Sequence, residues 1–408
     1  MTRRAPVFRW TIDQATKTRV PIRVGELTQE SSRWEFVFDP DYLARGSDAW
    51  ELDPTGIRTK QCSPFTRVGS VPFPVFCDVA LSGWTLDLLK KNASRSAEGE
   101  EPWGWWERLV YAPVDGFGAL FVGDIQGRPD AIGTIAHALH NLTRDSLTEG
   151  PLASSSGAMG GERPKVALHF ELEDGRLVPT LLKFALPNER FDSVIAEATA
   201  LTLAAGLGMQ VPFHQVMWFN DVPALAIERF DRQGEDKQLW HCVSAATALD
   251  LVPGADVEDP KQNYVRLRSK LKRVEDSREL FERIVLNGAV GNTDDHPWNT
   301  SLRQLGPGDW ELSPLYDVLP FSERQGVPAF SMDLTKKRPS RAATRANLVA
   351  AGRQIAALDE KDVLQRIDRT TTYVRENWRK AFEAHSRPSK EVPVEDWKRV
   401  FEHDWIAL

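Results

Sequence analysis

The spacing of apolar residues changes once along this chain, and that change limits the folds open to it. Up to Ile227 most apolar runs are short and read as strands, alternating where one face is exposed. Val20–Leu27, Trp34–Phe38, Gly118–Val122, Lys165–Glu171 (KVALHFE) and Thr180–Phe184 (TLLKF) are of this kind, since residues two apart share one face of a sheet. Val216–Phe219 and Ala224–Ile227 read as a hairpin that turns at Asn220–Asp221. Helical spacing appears over Phe76–Lys91, Ile132–Asn141 and Ser193–Leu207; in the last, Ile195, Ala198, Leu201, Thr202 and Ala205 share a face. From Cys242 onward helical patterns dominate. Strands early and helices late predict an α+β protein with a sheet-rich lobe and a helical lobe. No repeat of fixed period is present, which excludes solenoids and propellers.

Composition narrows the class. The 408 residues are 41% hydrophobic and 27% charged, enough apolar surface for two or three packed units and incompatible with a disordered chain. The net charge of −7 argues against a protein devoted to non-specific phosphate-backbone binding, while leaving room for a local basic cleft. Cys62, Cys77 and Cys242 form no CxxC pair, so neither a disulfide scaffold nor a cysteine-rich zinc site is expected. The start, MTRRAPVFRWTIDQ, lacks the apolar core of a signal peptide, and Ala198–Val211 is too short to span a bilayer. A cytoplasmic protein without membrane contact is expected.

The densest chemistry is in Gly291–Asn299, GNTDDHPWN, which follows a helical run over Glu279–Val290. Asp294 is suited to take a proton from a hydroxyl nucleophile, and Asn299 to ligate a divalent metal through its carbonyl oxygen. The same residues also suit a polar turn with an Asx cap. Downstream, Ser313–Asp317 (SPLYD) follows a strand at Trp310–Leu312. If the two loops meet, Asp317 and Asn299 make an oxygen-rich site fit for magnesium with a polyphosphate. Upstream, Ser154–Lys165 matches neither Walker A nor GxGxxG. Gly157, Gly160 and Gly161 nonetheless let backbone N–H groups approach phosphate, and Lys165 adds charge; alone, the segment reads as a flexible loop between strands. Lys183 is a charge inside an apolar strand, and Glu197, fourteen residues on in the next helix, is placed to pair with it. Glu228-Arg229-Phe230-Asp231 follows the hairpin. It reads either as an adenine pocket with Phe230 on the ring or as a strand end closed by surface ion pairs.

The order of these pieces resembles the HipA family of serine/threonine kinases, toxins of bacterial toxin–antitoxin pairs, although neither HRD nor DFG is present. The matching pieces are VGELT at Val24–Thr28, FVFDPDYL at Phe36–Leu43, the glycine loop ending at Pro164-Lys165, and LLKF at Leu181–Phe184. They continue with the helix from Glu197 through Val211-Pro212, ERFDR at Glu228–Arg232, TDDHPWN at Thr293–Asn299 and SPLYD at Ser313–Asp317. A tryptophan- and proline-rich insertion separates Ala44 from Val75.

The resemblance implies a kinase-like two-lobe architecture: an N-terminal subdomain at residues 1–115, a sheet-rich nucleotide-binding lobe at 116–232 and a helical catalytic lobe at 233–408. It implies ATP and Mg2+, with Asp294 as catalytic aspartate, His296 shaping its loop, and Asn299 and Asp317 on the metal. Lys183 and Glu197 would serve the phosphates, covered by Lys165 and Gly157–Gly161, with Glu228 and Phe230 lining the adenine pocket. It further implies inhibitory autophosphorylation at one of Ser154, Ser155 and Ser156. The substrate would be an aminoacyl-tRNA synthetase, and the partner a helix-turn-helix antitoxin through which any DNA contact is made. A small-molecule kinase and a non-catalytic nucleotide-binding scaffold are the rival readings. His137 and His140, spaced i, i+3, lack a third ligand for a metal. Trp103, Trp105 and Trp106 are read as packing between the first unit and the lobe, and the basic run Lys336–Arg353 as a solvated helix face.

Overall fold

The structure, a computed structural model, describes residues 2–59, 64–90, 103–124, 163–171, 177–185, 192–233, 238–320, 327–387 and 394–402, apart from positions 14, 84, 88, 89, 221 and 338. The glycine loop with Gly157, Gly160, Gly161 and Ser154–Ser156, the helix expected at Ile132–Asn141, and the pair His137 and His140 lie outside the described residues.

Five antiparallel strands form the N-terminal sheet: β1 (Thr2–Ile12), β2 (Arg19–Glu30), β3 (Arg33–Phe38), β4 (Phe65–Val68) and β5 (Leu120–Val122), in the order β4-β3-β2-β1-β5. The apolar alternation missed β1. A bulge between Val7 and Phe8 shifts its register against β2, so the two halves of the strand alternate out of phase. The short helices α1 (Pro40–Leu43), α2 (Pro74–Val79) and α3 (Trp105–Val110) belong to the same unit. Its core is aromatic: Phe36 lies 5.6 Å from Phe76, and Trp106 stacks on Trp34 at 6.2 Å. Trp106 thus packs within the N-terminal unit. The helix-rich stretch expected over Phe76–Lys91 is interrupted after Val79, where Ala80 is extended and the next amide, Leu81 N, donates to Arg108 O; helical conformation resumes over Thr85–Asp87. β5, beyond the boundary expected at residue 115, pairs with β1 and so belongs to this sheet.

The second sheet runs β6-β7-β9-β8, from β6 (Lys165–Glu171), β7 (Leu177–Phe184), β8 (His214–Phe219) and β9 (Val222–Glu228). The expected hairpin is present, with Asn220 in the left-handed region at φ 54°, a conformation asparagine tolerates better than most residues. Against the sheet lies α4 (Ser193–Gly206), capped by Asp192 and buried along most of its length.

The remainder is chiefly helical, with one exception to the expected pattern. After the ribbon β10 (Arg232–Gln233) and β11 (Gln238–Leu239), the strands β12 (Cys242–Ser244), β13 (Ser301–Gly306) and β14 (Asp309–Leu312) form a third sheet. Around it are α5 (Ala245–Ala248), α6 (Tyr264–Arg268), α7 (Val274–Val290), α8 (Arg345–Ile355), α9 (Glu360–His385) and α10 (Val394–Phe401). One continuous apolar core runs from the N-terminal sheet through α4 into these helices, and a smaller one lies under β6, β7 and β9. Among the described residues no helix is long and apolar enough to cross a membrane. Cys77 and Cys242 are buried free thiols, and Cys62 lies outside the described residues.

The insertion after Ala44 fastens the N-terminal unit to the helical lobe. Glu51 Oε1 accepts hydrogen bonds from Gly308 N (2.7 Å) and Trp310 Nε1 (2.9 Å), and Thr55 Oγ1 donates to Ala248 O (2.7 Å). Just beyond the insertion, the Asp78 carboxylate accepts from Ser244 N, Ser244 Oγ and Thr247 Oγ1 at 2.7–2.8 Å. These contacts cap α5 and hold the strand that pairs with β13.

Candidate active site

β6 and β7 run in a register that sets Lys165 directly opposite Lys183, so the two ammonium groups share a face of the sheet. Both residues are buried. Lys183 Nζ donates to Glu197 Oε1 on α4 at 2.7 Å and to Asp317 Oδ1 at 3.0 Å. The backbone N–H of Asp317 donates to the same Glu197 oxygen at 3.1 Å. Asp317 adopts φ 58°, a strained value for a non-glycine residue, and this carboxylate–lysine–carboxylate arrangement holds it there.

The charges respond as expected. Burial opposes ionisation of Asp317, yet Lys183 and Lys165 outweigh it and hold this carboxyl well below the usual carboxylate range. Burial also disfavours charge on Lys183, but Asp317 and Glu197 overcome it and raise its affinity for the proton. Lys165 shifts the other way: burial, with Lys183 beside it, pulls it down to about 8 against the opposing pull of Asp317 and Glu197.

The acidic loop grows from the end of α7, where Gly291 terminates the helix at φ 70°. Asn292 is tied back to Asn287 through its backbone N–H (2.9 Å) and its Nδ2 (3.0 Å). Its Oδ1 accepts from Asp294 N at 3.2 Å. The side chain of Asp294 is 69% exposed, 3.8 Å from His296 Nε2. Pro297–Asn299 makes a 3-10 turn, from which Asn299 Nδ2 donates to Asp294 O at 2.6 Å. That bond commits the amide nitrogen and keeps the carbonyl oxygen as the atom able to meet a cation. His296 packs edge-on against Trp298 at 5.8 Å.

The two loops do meet. Tyr316 OH, next to Asp317, donates to Trp298 O, next to Asn299, at 3.0 Å, while Ser301 Oγ lies 2.5 Å from the same hydroxyl. The ring of Tyr316 stacks on Phe230 at 5.3 Å. Phe230 is half-buried and is met edge-on by Phe117 at 6.3 Å. Glu228 ends β9 opposite Thr180, and its N–H donates to Phe213 O at 2.8 Å.

Among the charges flanking Phe230, Arg229, Asp231 and Arg232 make a buried clamp. Asp231 accepts from Arg229 Nε (3.0 Å) and Nη2 (2.9 Å), from Arg232 Nη1 (3.2 Å) and from Gly118 N (2.8 Å). Arg229 Nη2 donates to Gly116 O at 2.7 Å, and Arg232 Nη2 to Asp115 Oδ1 at 2.9 Å. The clamp sets the segment leaving the N-terminal unit, and Phe117 with it, against Phe230. It also explains why the strand expected from Gly118 begins only at Leu120: Gly118 sits at φ 67° with its N–H turned to Asp231.

Of the residues singled out from sequence, Lys165, Lys183, Glu197 and Asp317 lie together, and the loops of Asn299 and Asp317 are joined. Three features escaped sequence reasoning. Tyr316 links the loops, and its only sequence signal is its place before Asp317. The clamp residues were visible as charges in ERFDR. Asp295, the second carboxylate of the doublet, is buried and accepts from the Tyr264 hydroxyl and from Ser331 N (2.7 Å). Burial pushes its carboxyl up to about 7. Among the described residues no cluster of three or more His, Cys, Asp or Glu side chains is arranged to hold a metal. A pair of oxygen donors such as Asp317 and Asn299 falls outside that description.

Comparison with known proteins agrees with this geometry. Residues 157–378 match the family described as HipA-like C-terminal domain. A putative kinase, Y4dM, of Sinorhizobium fredii is 30% identical over 349 residues, covering 80% of each chain. The serine/threonine-protein kinase toxin HipA of Shewanella oneidensis is 29% identical over 188 residues, 40% of this chain and 42% of that one. Among solved structures, HipA of Shewanella oneidensis MR-1 in its complex with HipB and operator DNA superposes with a TM-score of 0.66 at 17% identity. The match covers 97% of this chain and 95% of that one, and the two share a fold.

Proposed function

Since the chain belongs to the family of the HipA-like C-terminal domain and is a kinase, we propose that it transfers the γ-phosphate of ATP to a serine or threonine hydroxyl of a protein. The observation that carries this reading is the triad of buried Lys183 and Glu197 with half-buried Asp317, beside Lys165 on one face of the sheet. Two lysines on one face meet the polyphosphate, and Glu197 keeps Lys183 extended toward it. Asp294 takes the proton of the attacking hydroxyl, with its carboxylate exposed on a loop whose backbone is tied down on both sides. Glu228, Phe230 and Tyr316 border the adenine.

Asn299 and Asp317 fit a magnesium ion. They offer a carbonyl and a carboxylate oxygen, the hard donors this cation takes, and Asp317 is held ionised by its lysines. Such an ion, when bound, supplies positive charge to the phosphates. Catalysis then rests on positioning and charge neutralisation.

The biological role that follows is that of a toxin in the cytoplasm, neutralised by a small helix-turn-helix antitoxin and silenced by autophosphorylation within Ser154–Ser156. Its target is an aminoacyl-tRNA synthetase. Support for the partner is the solved complex of the Shewanella relative with HipB and operator DNA. The acidic charge of −7 agrees with DNA contact being made through the antitoxin. The test is incubation of the full chain with γ-labelled ATP and cell lysate. One labelled protein band is expected, lost in Asp294→Asn and in Asp317→Asn while circular dichroism is unchanged. Label appearing only on a metabolite, or undiminished transfer in either variant, overturns the reading.

A further inference from the structure

We infer that Asp295, with Tyr264 as its partner, is a positioning residue for phosphoryl transfer: it locks the backbone that carries Asp294. The inference rests on the proposal that Asp294 is the catalytic carboxylate, and it adds two residues with no place in that scheme.

The two carboxylates of the doublet live in opposite surroundings. The Asp294 side chain is largely in solvent, whereas Asp295 as a residue is only 4% exposed. Its two oxygens are used by groups outside the loop. Oδ2 accepts a hydrogen bond from the Tyr264 hydroxyl on α6, and Oδ1 accepts one from Ser331 N at 2.7 Å. Ser331 in turn donates its Oγ to Thr293 O at 3.1 Å. One residue therefore grips the loop on both sides of Asp294. Tyr264 is itself buried and fixed, its N–H donating to Asp333 O at 3.0 Å.

Together with the bonds from Asn292 and Asn299, these contacts engage Thr293 O, Asp294 N, Asp294 O and both Asp295 oxygens. The loop is thus a rigid platform from which the largely exposed Asp294 carboxylate projects. Such an arrangement suits a base that must stand within hydrogen-bond reach of one hydroxyl. A displacement of about 1 Å at such a group costs about 100-fold in rate. A buried carboxyl with a hydroxyl donor and an N–H donor is a costly element for core packing alone, because an apolar side chain fills the same volume without desolvating a charge.

The test compares Asp295→Ala, Asp295→Asn and Tyr264→Phe in the full chain, with Asp294→Asn beside them. ATP affinity is measured by titration, phosphoryl transfer at saturating ATP by single-turnover labelling, and folding by thermal melting. Asparagine keeps an acceptor for Ser331 N and supplies an N–H to the Tyr264 oxygen, so it restores the grip without the charge. The expected result is a fall of about 10- to 100-fold in transfer rate for Asp295→Ala. ATP affinity stays within about twofold, because the triad at Asp317 is untouched. Tyr264→Phe falls in the same direction by less, and Asp295→Asn recovers most of the rate. A wild-type rate in folded Asp295→Ala or Tyr264→Phe overturns the inference. So does loss of rate and ATP affinity in equal measure, or Asp295→Asn as impaired as Asp295→Ala. Full transfer in Asp294→Asn instead overturns the catalytic assignment, which separates the two failures.

Discussion

Removing the Asp231 carboxylate tests whether the buried clamp holds the N-terminal unit to the segment that follows β9. In Asp231→Ala, Arg229 loses a bidentate partner at 3.0 and 2.9 Å, Arg232 loses one at 3.2 Å, and Gly118 N loses its acceptor at 2.8 Å. The guanidinium groups stay buried, since the side chains of Arg229 and Arg232 are 4% and 0% exposed. Breaking a buried ion pair from one side costs about 3–5 kcal/mol, because a charge is left without compensation. An orphaned buried N–H adds about 1–3 kcal/mol. Asp115 still reaches Arg232 at 2.9 Å and Arg229 at 3.4 Å. Its side chain is 44% exposed, so solvent screens it and it recovers about 1 kcal/mol at most. The net expectation is a loss of about 3–7 kcal/mol, a large share of a typical stability of about 5–15 kcal/mol. Urea unfolding followed by tryptophan fluorescence measures it, through the shift in midpoint at constant slope. A paired replacement, Arg229→Met with Asp231→Leu, removes both charges and is expected to lose less than the single Asp231→Ala. If Asp231→Ala lies within about 1 kcal/mol of the parent, or if the paired replacement loses the sum of its parts, the clamp does not hold the unit as argued.

Two further outcomes follow from other parts of the molecule. Lys165 has its proton affinity lowered by burial to about 8, so in the free protein it is charged at neutral pH and loses its charge as pH rises through that value. With Lys165 on the phosphates as proposed, ATP would bind the charged form, so nucleotide affinity should fall between about pH 7 and 9, and Lys165→Arg should flatten that fall; an equally steep decline in the arginine variant would refute the assignment. In the N-terminal sheet, a Cβ on Gly25 would stand 2.2 Å from Val37 O and 2.7 Å from the Phe36 ring. Gly25→Ala should therefore lower stability by about 1–3 kcal/mol, read as a lower melting temperature, while wild-type stability would show that the strands separate without strain.

How much of this was legible in the sequence differs from element to element. A strand with one clean face, such as β3, announces itself, because the pleat has a period of two and no other element has it. The pairing of Lys183 with Glu197 was legible for a related reason: a charge in an apolar strand needs a partner, and the next helix offered one. β1 was hidden because the bulge at Val7–Phe8 breaks its alternation. The third sheet was hidden because β12 is three residues long and finds its partner, β13, far down the chain.

The sequence by itself determined the chemical inventory of the site, the class of the fold and the order in which the pieces come. Tertiary structure alone decided which of two adjacent carboxylates faces solvent and which is buried against Tyr264. The same holds for Arg229 and Arg232, whose stretch reads equally as an adenine pocket or as a strand end with surface ion pairs, and which the segment around Gly116 covers. The physical reason is common to both cases. A side chain's role depends on its solvation and its partners, and those come from segments remote in sequence: Ser331 for Asp295, Asp115 for Arg232, and Asp317 for Lys183.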